Sequence, residues 1–107
     1  MSIEESEKID AVGVKNGVLH LILSDHAPWD DDFLEFHLEA LQDKINYYLM
    51  YIESKQYEEK YGDDFDKIII DIFFKYNLIE ESVNFLNEVS FQINPHNIYL
   101  NLHLPKA

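Results

Sequence analysis

One short segment concentrates side chains whose types could support chemistry. They are Asp25, His26, Trp29 and Asp30, with His37 following in a predicted helix. An imidazole beside a carboxylate can bind a divalent metal or act as a general-base pair. The structural alternative is an Asx turn at Asp25, Trp29 packed beneath the start of the helix, and His37 at the margin of the core.

Three other groups have weaker chemical interpretations. His20, Asp71 and His103 would meet on one face of a sheet if their strands are neighbours, and two imidazoles with a carboxylate are a familiar metal-ligand set. Single polar residues on an exposed sheet face are also common. The run 30–32 lacks the alternating ligands, glycine and distal glutamate of a calcium loop, and is explained as a helix N-terminus. Ser24 lacks the glycine-flanked elbow of a hydrolase nucleophile.

The tyrosines crowd together next to a run of acidic residues. Tyrosine is enriched in interfaces, and an acidic rim around aromatic side chains suits a basic protein that associates quickly. The alternative is ordinary packing of a helix on a sheet. The predicted partner-binding residues are Tyr47, Tyr51, Tyr57, Tyr61, Glu58, Glu59, Asp63 and Asp64.

Composition excludes several classes of function. The chain has 107 residues, no cysteine, eight lysines, no arginine and a net charge of −13. Such a charge repels phosphate backbones and anionic membranes, so we expect neither nucleic acid nor membrane as a partner. Without cysteine there is no thiolate nucleophile and no cysteine metal site. Only three glycines are present, and no phosphate-cradling loop. We therefore expect no cofactor, and a binding protein rather than an enzyme.

Length and the N-terminal residues set the organisation. A hydrophobic content of 47% is too high for a disordered chain, and the length fits one domain over residues 1–107. Residues 1–8 are polar and predicted to be flexible. They lack the basic and apolar regions of a signal peptide, and the longest apolar run is strand-length, so we expect a cytoplasmic protein.

Hydrophobic spacing predicts the elements that position these residues. Asn16-Gly17 between two apolar runs predicts a hairpin with strands over 9–14 and 17–24. Helical spacing predicts helices over 30–54 and 78–93, and alternation predicts strands over 67–76 and 98–104. The inward stripe predicted for the first helix is Leu34, Leu38, Leu41, Ile45, Leu49 and Ile52. A second row widens its apolar surface with Phe33, Phe36, Ala40, Tyr47 and Tyr51.

These elements predict an α+β fold of order β-β-α-β-α-β. The two-layer sandwich has a four-stranded mixed sheet with two helices on one face, since both crossovers should be right-handed. We predict the strand order 1-2-3-4. The opposite face would then carry His20, Ile69, Asp71, Phe73, Tyr99, Asn101 and His103.

Two stretches match the pattern Asp-His-x-x-Trp-Asp followed by Leu-Gln-x-Lys-Ile-Asn, and a third stretch continues it later in the same helix. They are Asp25-His26-Ala27-Pro28-Trp29-Asp30, Leu41-Gln42-Asp43-Lys44-Ile45-Asn46 and Tyr51-Ile52-Glu53-Ser54. The pattern resembles an uncharacterised family of small acidic bacterial proteins, classed as a domain of unknown function. The resemblance covers about residues 8–104 and implies the fold and a bacterial source, but no reaction.

The sequence favours a non-enzymatic protein-binding module that recognises a basic partner. By analogy of class alone, it would act like an immunity protein or a chaperone. A homodimer through the open sheet face or the long helix is compatible with this hypothesis. The alternative is a small metal-dependent enzyme that uses Asp25, His26 and His37. A third is a DNA mimic, whose carboxylates would be spaced like phosphates.

Overall fold

A computed structural model describes residues 5–105, which form two layers. The sheet contains β1 (Ala11–Lys15), β2 (Val18–Asp25), β3 (Ile68–Phe74) and β4 (Ile98–His103). The helices are α1 (Leu34–Glu53), the short α2 (Glu58–Tyr61) and α3 (Glu80–Ile93). This confirms the predicted α+β class and the order of the four strands and two long helices, and α2 is a third, short helix after α1.

The sheet has the predicted strand order β1-β2-β3-β4. β1 and β2 form an antiparallel hairpin around Asn16 and Gly17, which have φ angles of 53° and 77°. Both residue types tolerate this left-handed region, which a tight hairpin turn requires. β2 pairs in parallel with β3, and β3 with β4. A helix-containing crossover joins each parallel pair.

The register divides the strand residues between two faces. Leu21 pairs with Ile70 on the face that meets the helices, whereas His20 pairs with Ile69 on the other. The hydrophobic core lies between the first face and α1 and α3. We call the second face the open face. Its residues are Ala11, Gly13, Lys15, Val18, His20, Ile22, Ser24, Ile69, Asp71, Phe73, Tyr99, Asn101 and His103. Within residues 5–105, none of them belongs to the core cluster.

Helix α1 packs on the sheet through a stripe that is only half apolar. Its buried residues are His37, Leu41, Lys44, Ile45, Tyr48 and Ile52. From the predicted second row, Ala40, Tyr47 and Tyr51 pack against the core. Phe33 and Phe36 do not, and both are exposed. Each residue advances about 100° around a helix, so a stripe that passes through His37 turns Phe36 towards solvent.

The segment before β1 contacts α1. The prediction of a flexible segment over 1–8 lies partly outside the described residues. At Glu5, the backbone carbonyl accepts a hydrogen bond from the Lys44 ammonium at 2.9 Å. Among residues 5–105, none of the helices combines the length and apolar character needed to cross a membrane.

Candidate functional site

The carboxyl end of β2 and the start of α1 bring Asp25 and His37 together. The Nε2 atom of His37 lies 2.6 Å from Oδ2 of Asp25, and its Nδ1 atom lies 3.2 Å from the carbonyl oxygen of Pro28. Both side chains are buried. The Ala27 amide donates to Oδ1 of Asp25 at 3.0 Å, which is the predicted Asx turn. Because both ring nitrogens of His37 face oxygen acceptors, neither is left free to bind a metal.

Trp29 covers the His37 ring. The two rings are stacked, with centroids 3.5 Å apart and planes 10° from parallel. Trp29 also packs against Phe74, and its buried Nε1 has no hydrogen-bond partner in the described chain. The predicted polar cluster is therefore assembled through Asp25, Trp29 and His37. His26 is exposed and joins none of these contacts within residues 5–105.

A hydrophobic depression lies over this group. It has a volume of about 490 Å³ and is lined by Ala27, Pro28, Asp30, Phe33, Phe36, His37 and Ala40. Phe33 is 61% exposed and Phe36 is 74% exposed. Both rings are therefore exposed to solvent at the start of α1, and the buried Asp25–His37 pair lies beneath this part of the helix.

Exposed carboxylates line depressions together with the two phenylalanines. Asp30 caps the 3-10 turn that precedes α1, since its Oδ1 accepts a hydrogen bond from the Asp32 amide at 3.0 Å. The exposed acidic side chains are Asp30, Asp31, Asp32, Glu35 and Glu39. We call these five, with Phe33 and Phe36, the acidic aromatic surface. It combines exposed aromatic rings with a charge that attracts lysine and arginine.

The tyrosine group occupies the other end of α1. Tyr57 is buried between Tyr51 and Phe65, with ring centroids 6.2 Å apart in each pair. Tyr47, Tyr51 and Tyr61 are partly buried against the core, and burial raises the pKa of Tyr51. The predicted acidic residues Glu58, Glu59, Asp63 and Asp64 are all exposed. This end of the helix therefore exposes its carboxylates but uses much of its tyrosine surface for packing.

The open face carries a second histidine–carboxylate group. Oδ2 of Asp71 accepts from Nδ1 of His20 at 2.6 Å, and Oδ1 accepts from Nε2 of His103 at 2.9 Å. The Asn101 amide also donates to Oδ1, at 3.0 Å. Burial raises the pKa of Asp71, but the hydrogen bonds from His103, His20 and Asn101 outweigh it, so the pKa lies below its usual value.

The predicted meeting of His20, Asp71 and His103 is confirmed, but their geometry does not form a metal site. β2 and β4 lie on opposite sides of β3, so the two imidazoles reach the carboxylate from neighbouring strands on either side. In the part of the chain that is described, no group of three or more such side chains is placed to hold a metal ion.

A buried lysine forms a polar group that the sequence reasoning missed. Nζ of Lys44, on α1, is 2.8 Å from Oδ1 of Asp10. The Asp10 amide donates to the Tyr48 hydroxyl, which in turn donates to the carbonyl of Ile22. Burial raises the pKa of Tyr48 far above its usual range. The available signal was spacing, because Lys44 and Tyr48 follow Leu41 at helical intervals.

Comparison with known proteins places the chain in a family without giving it an activity. The model of the family described as "Family of unknown function (DUF6572)" matches residues 1–106. No curated protein and no solved structure matches the chain.

Proposed function

We propose a function from the molecular surface alone, because the chain belongs to the family of unknown function DUF6572. The proposal is a non-enzymatic protein-binding module that recognises a basic partner through the acidic aromatic surface. One observation carries it: Phe33 and Phe36 are both exposed, line the same depression, and lie among the five exposed carboxylates of residues 30–39.

The two rings supply the apolar part of such an interface. Large aromatic side chains dominate binding energy when a partner buries them, particularly beside a pocket. Phe33 and Phe36 line the same depression, so one partner side chain placed there can contact both rings. The depression beside them has room for an apolar side chain of the partner.

The carboxylates supply direction and partner choice. They are five of the chain's 21 acidic residues, and they place five negative charges beside the two rings in a protein whose net charge is −13. Such a field accelerates encounter with a basic surface and disfavours acidic partners. Lysine and arginine can also lie over phenylalanine faces. The matching partner segment therefore combines basic residues with at least one apolar side chain.

A defined peptide tests this directly. The probe is an amphipathic helix with lysine on one face and leucine on the other, titrated by fluorescence anisotropy. A peptide of the same length with glutamate replacing lysine is the control. We expect binding that weakens as salt rises and roughly tenfold weaker binding for Glu35→Lys with Glu39→Lys, and for Phe33→Ser with Phe36→Ser.

A matched charge reversal distinguishes the two acidic regions. Glu58→Lys with Glu59→Lys changes the charge by the same amount as Glu35→Lys with Glu39→Lys, but at the predicted tyrosine region. We expect its effect to be much smaller. Equal losses from both pairs would reduce the effect to overall charge, and a larger loss at 58 and 59 would move the binding site there. Either result overturns this assignment.

The metal-dependent enzyme has no observation in its favour. Its ligands would be Asp25, His26 and His37, yet His37 directs both ring nitrogens to protein oxygens and His26 is outside the group. The geometry supports a binding surface better than a catalytic centre.

A further inference from the structure

The open face is uneven, with small residues along one edge and large ones along the other. Ala11 and Gly13 lie on β1, whereas Tyr99 and His103 lie on β4, with Phe73 beside them on β3. The rings of Phe73 and His103 are stacked, with centroids 4.0 Å apart. A depression of about 390 Å³ extends from Ala11 and Gly13 across the face to Phe73 and His103, which border it. The face therefore presents a ridge of large side chains, with Phe73 42% and Tyr99 36% exposed, that borders a hollow reaching to β1.

Gly13 contributes to the hollow, although the fold itself does not require a glycine there. Its φ is not in the left-handed region, and an added Cβ would meet nothing within 4 Å. A glycine inside a strand weakens it and often marks a close approach of another group. The missing side chain makes room above the sheet, on the open face.

Charge distinguishes this face from the rest of the molecule. Asp71 is the one carboxylate among the open-face residues, and it is hydrogen-bonded to His20, His103 and Asn101. Lys15 adds a positive charge on the same face. Two copies of a chain with net charge −13 repel each other over their acidic surfaces. The open face is where a second copy meets the least repulsion.

We propose that the open face binds a second copy of this chain, with the two-fold axis parallel to the strands. Rotation about that axis stacks β1 of one copy over β4 of the other. The rotation also keeps each residue at the same position along the strand direction. Gly13 is paired across the sheet, through successive strands, with His20, Ile69 and Tyr99. Gly13 therefore faces Tyr99 of the partner subunit, so that the ridge of each copy enters the hollow of the other.

The size of the face sets the strength of the dimer. Four strands about 4.8 Å apart, with about six residues of about 3.3 Å each, cover roughly 400 Å². A standard interface buries about 800 Å² on each partner. The dimer is thus weak and reversible, and it forms as concentration rises. This proposal uses none of the residues of the acidic aromatic surface and does not depend on the proposed function.

Sedimentation equilibrium from micromolar to millimolar concentration tests the dimer. We expect dimerisation of the unaltered chain and at least tenfold weaker association for Gly13→Leu, which fills the hollow. The control is Val14→Thr, on the same strand but on the opposite face, and it should leave association unchanged. Circular dichroism verifies that each variant is folded. A chain that stays monomeric, or a Gly13→Leu variant that dimerises normally, overturns the proposal.

Cross-linking tests the axis. The chain lacks cysteine, so single cysteines at Ala11→Cys and Asn101→Cys react cleanly with a short bis-maleimide. These positions share a row through Ile22 and Asp71. A mixture of the two variants should give cross-linked dimers, and Ala11→Cys alone should give few. Efficient cross-linking of Ala11→Cys alone would place β1 over β1 and contradict the proposed axis.

Discussion

Two groups of contacting side chains in this molecule combine the same classes of residue, but their surroundings differ. In one, Asp25 contacts His37 and the imidazole is stacked on Trp29. In the other, Asp71 contacts His103 and the imidazole is stacked on Phe73. Each group therefore consists of a carboxylate, an imidazole that contacts it, and an aromatic ring stacked on that imidazole. The first lies beneath α1, and the second lies on the open face.

The comparison shows that surroundings, not residue types, determine what such a group does. His37 is enclosed and both of its ring nitrogens have protein acceptors, so the group supports the start of α1 and the phenylalanines above it. His103 is partly exposed and uses one ring nitrogen for Asp71. We therefore expect the enclosed group to contribute more to stability than the partly exposed one, in which Asp71 is buried but its imidazoles reach solvent.

Removing each carboxylate should separate the two groups most clearly. Asp25→Ala leaves a buried imidazole without its acceptor, so we expect the free energy of unfolding to fall by about 3–5 kcal/mol. Asp71→Ala should cost about 1–2 kcal/mol, because water can reach His20 and His103. Urea unfolding measures both. Equal losses would show that the exposed group is as important to the fold as the enclosed one.

Removing one imidazole from each group gives the next largest difference. His37→Ala opens a cavity under Trp29 and leaves Asp25 unpaired, at a cost of about 2–4 kcal/mol. His103→Ala leaves Asp71 with His20 and Asn101, and should cost less than about 1 kcal/mol. Thermal unfolding followed by circular dichroism compares them. A His103→Ala variant that loses as much stability as His37→Ala would contradict this ranking.

Acid should affect the exposed group through Asp71. Its pKa in the folded chain lies below the ordinary value of 3.8, so the stability it contributes is complete above 3.8 and is lost as the pH falls through the lower folded value. Below pH 3.8, the advantage of the unaltered chain over Asp71→Asn should therefore shrink as the pH falls. Unfolding free energies at a series of pH values measure it. An advantage that grows as the pH falls below 3.8 would reverse the inferred sign.

The smallest effect is expected at Trp29. Trp29→Phe keeps an aromatic ring over His37 and removes a buried Nε1 donor that has no partner within residues 5–105. The lost contact area and the removed unpaired donor oppose each other, so stability should change by less than about 1 kcal/mol. Chemical denaturation measures this change in the free energy of unfolding. A larger loss would show that Nε1 has a hydrogen-bond partner in solution.

The sheet could be predicted from sequence because its signals are local. Asn16-Gly17 specifies a hairpin by backbone conformation, and the near-continuous apolar run from Ile68 marks a central strand. Strand alternation then assigned His20 and Asp71 to one face. Their meeting followed once the strand order was known.

The packing of α1 was harder to predict because half of its buried residues are polar. A hydrophobic pattern does not select His37, Lys44 or Tyr48, whose burial depends on partners from distant parts of the chain. For the same reason the pattern does not show that His37 takes the inward position, which leaves Phe36 in solvent. Aromatic residues at helical spacing predicted that both ends of α1 pack against the core. Only the aromatic residues at the tyrosine end do so extensively.

The buried Lys44 has a kinetic consequence. Its contacts join residues 34 and 39 positions apart, so they form only after a long stretch of chain has closed. The hairpin can form early, because its turn is local, but the segment before β1 can dock only on a completed α1. Hydrogen exchange should accordingly release the amide of Asp10 together with α1, so that the segment before β1 opens as one unit with a helix.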